Sequence, residues 1–361
     1  MIPHSRPFLQ DEDYRSVLDV LRSGQLVQGE RVAAFEAAFC RELDLPGATS
    51  ASSQEVAVSS SAVAVSSGTA ALHLTLLALE AGPGDEVIIP SYVCTALWHA
   101  VRYTGATPVL ADIEGDTFNL SALDVLPRLT KKTRAIILPH MFGQAADLDE
   151  LLKLGIPIIE DCAQSLGSRY QGRPTGTFGV ASIFSFYATK VIAAGEGGMV
   201  VSRDGNLIDR IRDMRDYDEK DSLATRFNYK MTDLQAALGM SQLKKLPVFI
   251  ARRQDISRHY DRVVREAGLP PPVKKTDRDH SYFRYVFLLD STDRFLEDMG
   301  RAGVVCRRPV FRPLHDYLGL TGFEGTNRIW RNAVSVPIYP GLTDEEVETV
   351  CSNMIKLLPK V

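Results

Sequence analysis

The 361 residues carry 45% hydrophobic and 24% charged side chains and a net charge of −4, the balance of a soluble globular chain long enough for two domains. That charge balance suits neither nucleic acid nor an anionic membrane surface, and no apolar run approaches the roughly 18 residues of a membrane span. The opening "MIPHSRPFLQDEDYRS" has no apolar core behind a basic segment, and Cys40, Cys94, Cys162, Cys306 and Cys351 follow no C-x-x-C spacing. We therefore expect a cytoplasmic protein with reduced thiols and no metal.

From residue 62 to 202 short β-branched runs alternate with helical patterns. "AVAV" (62–65) precedes "TAALHLTLLALEAG", "EVIIP" (86–90) precedes "YVCTALWHAVRYTG", and "TPVLADI" follows at 107–113. Then come "TRAIILPH" (133–140), a helical "DLDELLKLG", "IPIIEDCAQ" (156–164), "VASIFSFY" (180–187) and "GMVVS" (198–202). This alternation predicts an α/β fold, a mostly parallel sheet with crossover helices on both faces. Ligands of such sheets sit beyond the carboxyl ends of the strands. A Ser/Ala-rich stretch at 48–61 reads as loop. Past "NYKMTDLQAALGMSQLKKL" (228–246) a charged helical pattern leads to a second region, with "SYFRYVFLL" and "GVVCRRPVF" as expected strands. The division falls near residue 246, giving a large domain over 1–246 and a smaller α/β domain over 247–361.

Three groups at element ends make a constellation. In "SSGTAALHL" (66–74) a Ser-Gly-Thr opens a helix, offering free N–H groups, hydroxyls and the positive end of the helix dipole to a phosphate, although Ser and Thr are also ordinary caps. "IIEDCAQ" places Asp161 at the end of an apolar strand, where a carboxylate either caps a helix or holds a proton on a heteroaromatic nitrogen. "FSFYATKVIAAGEGGM" brings Lys190 in front of a glycine-rich turn. A lysine amine for an aldehyde, an acid for a ring nitrogen and a helix N-terminus for a phosphate together answer to pyridoxal 5'-phosphate.

At this point the chain resembles the DegT/StrS-type nucleotide-sugar aminotransferases of pyridoxal phosphate fold type I. "LRSGQLVQGERVAAFEAAF", "VSSGTAALHLTLLALEAGPGDEVIIPSY", "GATPVLADIEGDTFNL", "IIEDCAQSLGSRYQGRPTGTFG", "FSFYATKVIAAGEGGMV", "NYKMTDLQAALG" and "VPIYPGLTDEEVE" carry the likeness over nearly the whole length. It implies that Lys190 bonds covalently to the cofactor, that Asp161 pairs with the ring nitrogen, and that Gln164 lies near the ring hydroxyl. It assigns Gly68, Thr69 and Ser185 to the phosphate. Asn228 of "NYKM" would reach the cofactor phosphate of a neighbouring subunit, implying a homodimer with shared sites; a helix cap before "MTDLQAAL" is its other reading.

The resemblance also implies an amino acid donor, glutamate, and a keto sugar carried on a nucleotide as acceptor. One departure concerns the residue that stacks on the cofactor ring. "PSYVCTALW" puts Cys94 in that place, with Tyr92 or Trp98 as alternative stacks. In "RRPVFRPLHDY" (307–317), His315 and Tyr317 are candidate sugar contacts, and Arg307, Arg308 and Arg312 are available to a diphosphate. His140 ends a strand and reads either as cleft-lining or as a satisfied structural histidine. A sugar dehydratase on this scaffold would carry histidine in place of Lys190, and a non-catalytic cofactor-binding regulator would need no complete donor site.

Overall fold

The computed structural model describes residues 1–45 and 61–359, so the stretch read as a loop at 48–61 lies outside the described residues up to Ser61. Helices α1 (Asp11–Ser23) and α2 (Glu30–Glu42) open the chain. The alternating region then runs β1 (Ala62–Val65), α3 (Gly68–Ala78), β2 (Glu86–Pro90), α4 (Ala96–Tyr103), β3 (Thr107–Ala111), α5 (Ala122–Val125), β4 (Thr133–Pro139), α6 (Leu148–Leu152) and β5 (Ile158–Asp161). Two short strands, β6 (Arg169–Tyr170) and β7 (Arg173–Pro174), precede β8 (Ala181–Ser185) and β9 (Gly198–Val201).

Seven strands form one sheet in the order β1-β9-β8-β5-β4-β2-β3. All pairs are parallel except those of β9, which runs against both β1 and β8. The strands read as continuous apolar runs because both faces are covered. On one face Leu72 and Leu76 of α3 and Val101 of α4 pack with Ile89 and Ile137; on the other, Phe35 and Phe39 of α2 pack with Phe184 and Met199. Register sets up the site. Asp161 lies opposite Pro139 on one side and Ile183 on the other, so the carboxyl ends of β4, β5 and β8 end nearly level.

The remaining elements are α7 (Gly205–Met214), α8 (Asp233–Leu243), α9 (Leu246–Glu266), β10 (Arg278–Asp279), β11 (Tyr285–Leu288), α10 (Thr292–Arg301), α11 (Leu314–Leu318), α12 (Glu324–Asn332), β12 (Ala333–Val336) and α13 (Asp344–Leu357). The expected strand at 281–289 is β11. The one at 303–311 is a correction: it makes only isolated bridges, Ile2 with Val304 and Arg307 with Ser335. Pro309 interrupts that run and has no N–H for a ladder, and β11 pairs instead with β12, antiparallel.

A second core gathers Ile256, Tyr260, Phe287, Met299, Val336 and Val350, and Ile2 from the start of the chain packs into it. Helix α9 serves both cores, Phe249 facing the first and Ile256 the second. We propose the domain division near 246, at the head of this helix. Among the described residues no helix is long and apolar enough to cross a membrane.

Candidate active site

Beyond the carboxyl ends of β5 and β8 lies a cavity of about 290 Å³. Gly68, Thr69, Cys94, Asp161, Ser185 and Lys190 all line it. Asp161 and Ser185 are the last residues of their strands. Lys190 sits in the loop that returns the chain from β8 to β9, its N–H donating to Tyr187 O at 2.8 Å. Three further bonds tie that loop, Phe186 N–H to Gly197 O, Ala188 N–H to Gly195 O and Ala194 N–H to Phe186 O.

The helix end at the cavity is open to a ligand. Ser67 caps α3 by accepting from Ala70 N–H at 3.1 Å, while the N–H groups of Gly68 and Thr69, in the first turn, have no intrahelical acceptor. A Cβ on Gly68 would lie 2.9 Å from Ser185 Cβ, so glycine lets the helix start press against the end of β8. The same holds at Gly198, where a side chain would collide with the backbone of Ser67 and Gly68. The glycines of this neighbourhood therefore serve close packing of the helix N-terminus on two strands, as well as the turn before β9.

Asp161 is 7% exposed and accepts, among the described residues, a single hydrogen bond, Ala163 N–H to Oδ1 at 3.0 Å. Burial raises its pKa above the usual carboxylate value, offset in part by that N–H and by the charge of Lys190. Lys190 moves the other way: burial pulls its ammonium down, Asp161 opposes this and Arg284 adds to it. Phe283 stands against the amine, its ring centroid 5.2 Å from Nζ.

Behind Asp161, on the opposite face of β5, Glu160 is completely buried and accepts four hydrogen bonds, from His140 Nε2 (2.9 Å) and the N–H groups of Gly176, Phe178 and Gly179 (2.7–2.8 Å). His140 Nδ1 accepts from Ala146 N–H. His140 is thus a satisfied structural residue and does not line the cleft.

These groups fit pyridoxal phosphate. A lysine amine, a buried carboxylate with Oδ2 lacking any donor among the described residues, and an open helix N-terminus beside a serine hydroxyl would suit its aldehyde, ring nitrogen and phosphate respectively.

The profile of the "DegT/DnrJ/EryC1/StrS aminotransferase family" matches residues 7–355. The chain belongs to that family. It is 34% identical to the GDP-perosamine synthase of Vibrio cholerae, the match covering 99% of this chain and 98% of that one. Among solved structures it superposes on the aminotransferase TlmJ from Streptoalloteichus hindustanus with a TM-score of 0.91 at 31% identity, covering 99% of each chain. Spr1654 from Streptococcus pneumoniae in its PLP form gives a TM-score of 0.89 at 27% identity, over 99% of this chain and 98% of that one. Family and fold make this a pyridoxal phosphate-dependent sugar aminotransferase of fold type I.

Within this family frame other expected residues sit elsewhere. Gln164 does not line the cavity; its Oε1 accepts the N–H of Phe142, a residue in the left-handed region at φ 59°. Tyr92 is fully buried and Trp98 packs on the core, so neither reaches the cavity as a ring stack. Cys94 does, together with Tyr187, which sequence reasoning passed over because it stands among the core residues of "FSFYATK". Ser67, the serine of the expected Ser-Gly-Thr, lines the cavity beside Gly68 and Thr69, and Glu196 also lines it and was missed.

Asn228 is exposed, and the cap reading is corrected. Thr232 caps α8, its Oγ1 accepting from Gln235 N–H while Gln235 Oε1 accepts in return from Thr232 N–H. His315 is likewise corrected as a sugar contact. It is 1% exposed, with Nδ1 on Ser91 Oγ at 2.7 Å, Nε2 on Asn327 Oδ1 at 3.2 Å and its ring stacked on Phe323. Tyr317 is half exposed beneath the Arg312 guanidinium and lines no part of the cavity.

Proposed function

We propose that the enzyme takes an amino group from glutamate and delivers it to the keto carbon of a nucleotide-linked deoxysugar. The observation that carries this reading is that Lys190, Asp161 and the N-terminus of α3 line one cavity. The likeness to a GDP-perosamine synthase supports a nucleotide-linked acceptor for polysaccharide biosynthesis. Pyridoxal phosphate supplies the carbonyl that bonds an amine and a ring that accepts electrons from the adjoining carbon.

The protein supplies the rest. Asp161 holds positive charge at the ring nitrogen, because a buried carboxylate with one donor gains most from a cationic partner. The Gly68 and Thr69 amides and the Ser185 hydroxyl hold the phosphate. Lys190, once its amine is free, moves the proton at the donor's α-carbon, and burial, which lowers its pKa, favours the neutral amine this needs.

We further propose a cytoplasmic homodimer in which Asn228 of one subunit reaches the other's phosphate. Tyr14, Leu18 and Leu21 leave an exposed apolar row along α1, followed by Leu26 and Val27, which supports a second copy as partner. The test of function is a panel of nucleotide keto sugars incubated with glutamate and holoenzyme, read by mass spectrometry for replacement of the keto oxygen by an amine. Loss of water without amine gain would indicate a dehydratase, and no product from any acceptor would sink the reading.

A further inference from the structure

Thr189, the residue before Lys190, lines a second and larger cavity of about 800 Å³, shared with His4, Arg284, Arg307, Arg308 and Phe311. The two cavities adjoin at this loop. Phe283 spans them: Lys190 Nζ lies 5.2 Å from its ring centroid and Arg284 Cζ lies 4.7 Å from it.

Arg284 is held in an unusual way. Its guanidinium donates to Nδ1 of His4 at 3.1 Å, and His4 Nε2 lies 2.9 Å from Ser335 Oγ. His4 is 8% exposed, and burial, with the charges of Arg284 and Arg307 adding to it, pulls its pKa down to about 2. The imidazole is therefore neutral at physiological pH, accepting at Nδ1 and donating from Nε2. A neutral acceptor orients the guanidinium without cancelling its charge.

Among the described residues no carboxylate pairs with Arg284 or Arg307, whereas Arg308 beside them is taken by Asp293 at 2.7 Å. Behind Arg284, the buried Arg253 turns Nη1 on the carbonyls of Tyr282, Phe283 and Ile338, leaves Nε without a partner among the described residues and adds another cation without an acid. Burial, with the Arg307 charge, pulls Arg284 down to about 10. Gathered cations of this kind cost free energy unless an anion arrives from outside the chain.

We propose that Arg284 and Arg307 form an oxyanion subsite for the substrates, with His4 as its positioning residue. The subsite rests on the aminotransferase reading above and extends it: a molecule reacting at Lys190 sets an anionic group on Arg284 across the Phe283 ring. Two substrate groups share the required chemistry, a carboxylate of the amino donor and the diphosphate of the acceptor.

The test uses full-length holoenzyme carrying Arg284→Gln, Arg284→Lys or Arg307→Gln, the last at an exposed residue whose replacement leaves the core untouched. In one arm the glutamate half-reaction is followed by the cofactor's absorbance under single-turnover conditions; in the other, the aminated enzyme is mixed with the keto sugar. Arg284→Gln should raise the apparent Kd about 10- to 100-fold, as loss of a charge-assisted hydrogen bond implies, with a limiting rate much less affected and partial recovery in Arg284→Lys. An effect confined to the first arm assigns the carboxylate, to the second the diphosphate, and in both a shared subsite. Calorimetric titration with glutarate and with inorganic pyrophosphate gives a readout apart from turnover. Variants that bind both probes and both substrates as tightly as the parent overturn the proposal. A parent that transfers no amine would instead defeat the functional reading, and the calorimetry would still decide the subsite.

Discussion

Glu160 and Asp161 follow one another on β5 and are both buried, yet the first accepts four hydrogen bonds from the protein and the second accepts one. Burial alone would raise both pKa values. At Glu160 the His140 N–H and the amides of Gly179 and Gly176 outweigh burial and hold the carboxyl below its ordinary 4.5, whereas at Asp161 burial prevails and the pKa rises above 3.8. Alternation along a strand sends the two side chains to opposite faces. One carboxylate therefore locks the strand in place, and the other keeps an oxygen with no donor among the described residues, which suits the cationic partner proposed for it.

Asp161→Asn should lower kcat by about 10²–10³-fold, the usual effect of removing an electrostatic contact to developing charge. The thermal midpoint of the apoprotein should stay level or rise, since a poorly satisfied buried carboxylate has been removed. Steady-state kinetics paired with calorimetry reads both, and near-parental turnover would reduce Asp161 to a structural residue.

Glu160→Gln should give the reverse pattern. Its amide cannot accept from all four donors, so stability should fall by on the order of 3 kcal/mol in urea unfolding of the apoprotein, with a smaller effect on the kcat of the protein that remains folded. The pH dependence sharpens this. Because the folded pKa of Glu160 is lowered, its contribution is complete above 4.5 and is lost as pH falls through the folded value. Asp161 acts with the opposite sign, its raised pKa making the apoprotein less stable as pH rises from about its ordinary value through the folded one. Acid unfolding of parent and both variants should show these slopes moving in opposite directions.

The smallest effects separate two other neighbours. Thr232→Ala should cost about 1 kcal/mol by removing the cap of α8, while Asn228→Ala, at an exposed residue, should change stability by less than about 0.5 kcal/mol. A cofactor affinity that falls in Asn228→Ala without loss of stability would favour the shared site.

Much of this arrangement could be read from local pattern. The strands β1 to β5, β8 and β9 are short apolar runs closed by polar or glycine residues, and Gly68, Asp161, Ser185 and Lys190 stand at those closures. What the pattern hid depends on contacts far apart in sequence. Glu160 looks like any strand-end acid until the amides of 176–179 fold back onto it. Arg284 sits in an ordinary apolar run, and its importance appears only when His4, 280 residues away, reaches it. His315 stands in a sequence stretch rich in charge, but Ser91 and Phe323 draw it, at the head of α11, into the interior. The run at 303–311 reads as a strand because three valines and a cysteine outweigh Pro309, while the shorter "AVSV" of β12 holds the actual pairing with β11.

Lys190, which shares the 290 Å³ cavity with Asp161, is the amine proposed to bond the cofactor. Borohydride reduction of the holoenzyme fixes the lysine–cofactor bond, and peptide mapping by mass spectrometry then locates it. A single cofactor-labelled peptide carrying the modification at Lys190, with no label in Lys190→Ala, is the expected result; a label on any other lysine of the parent enzyme would overturn the assignment.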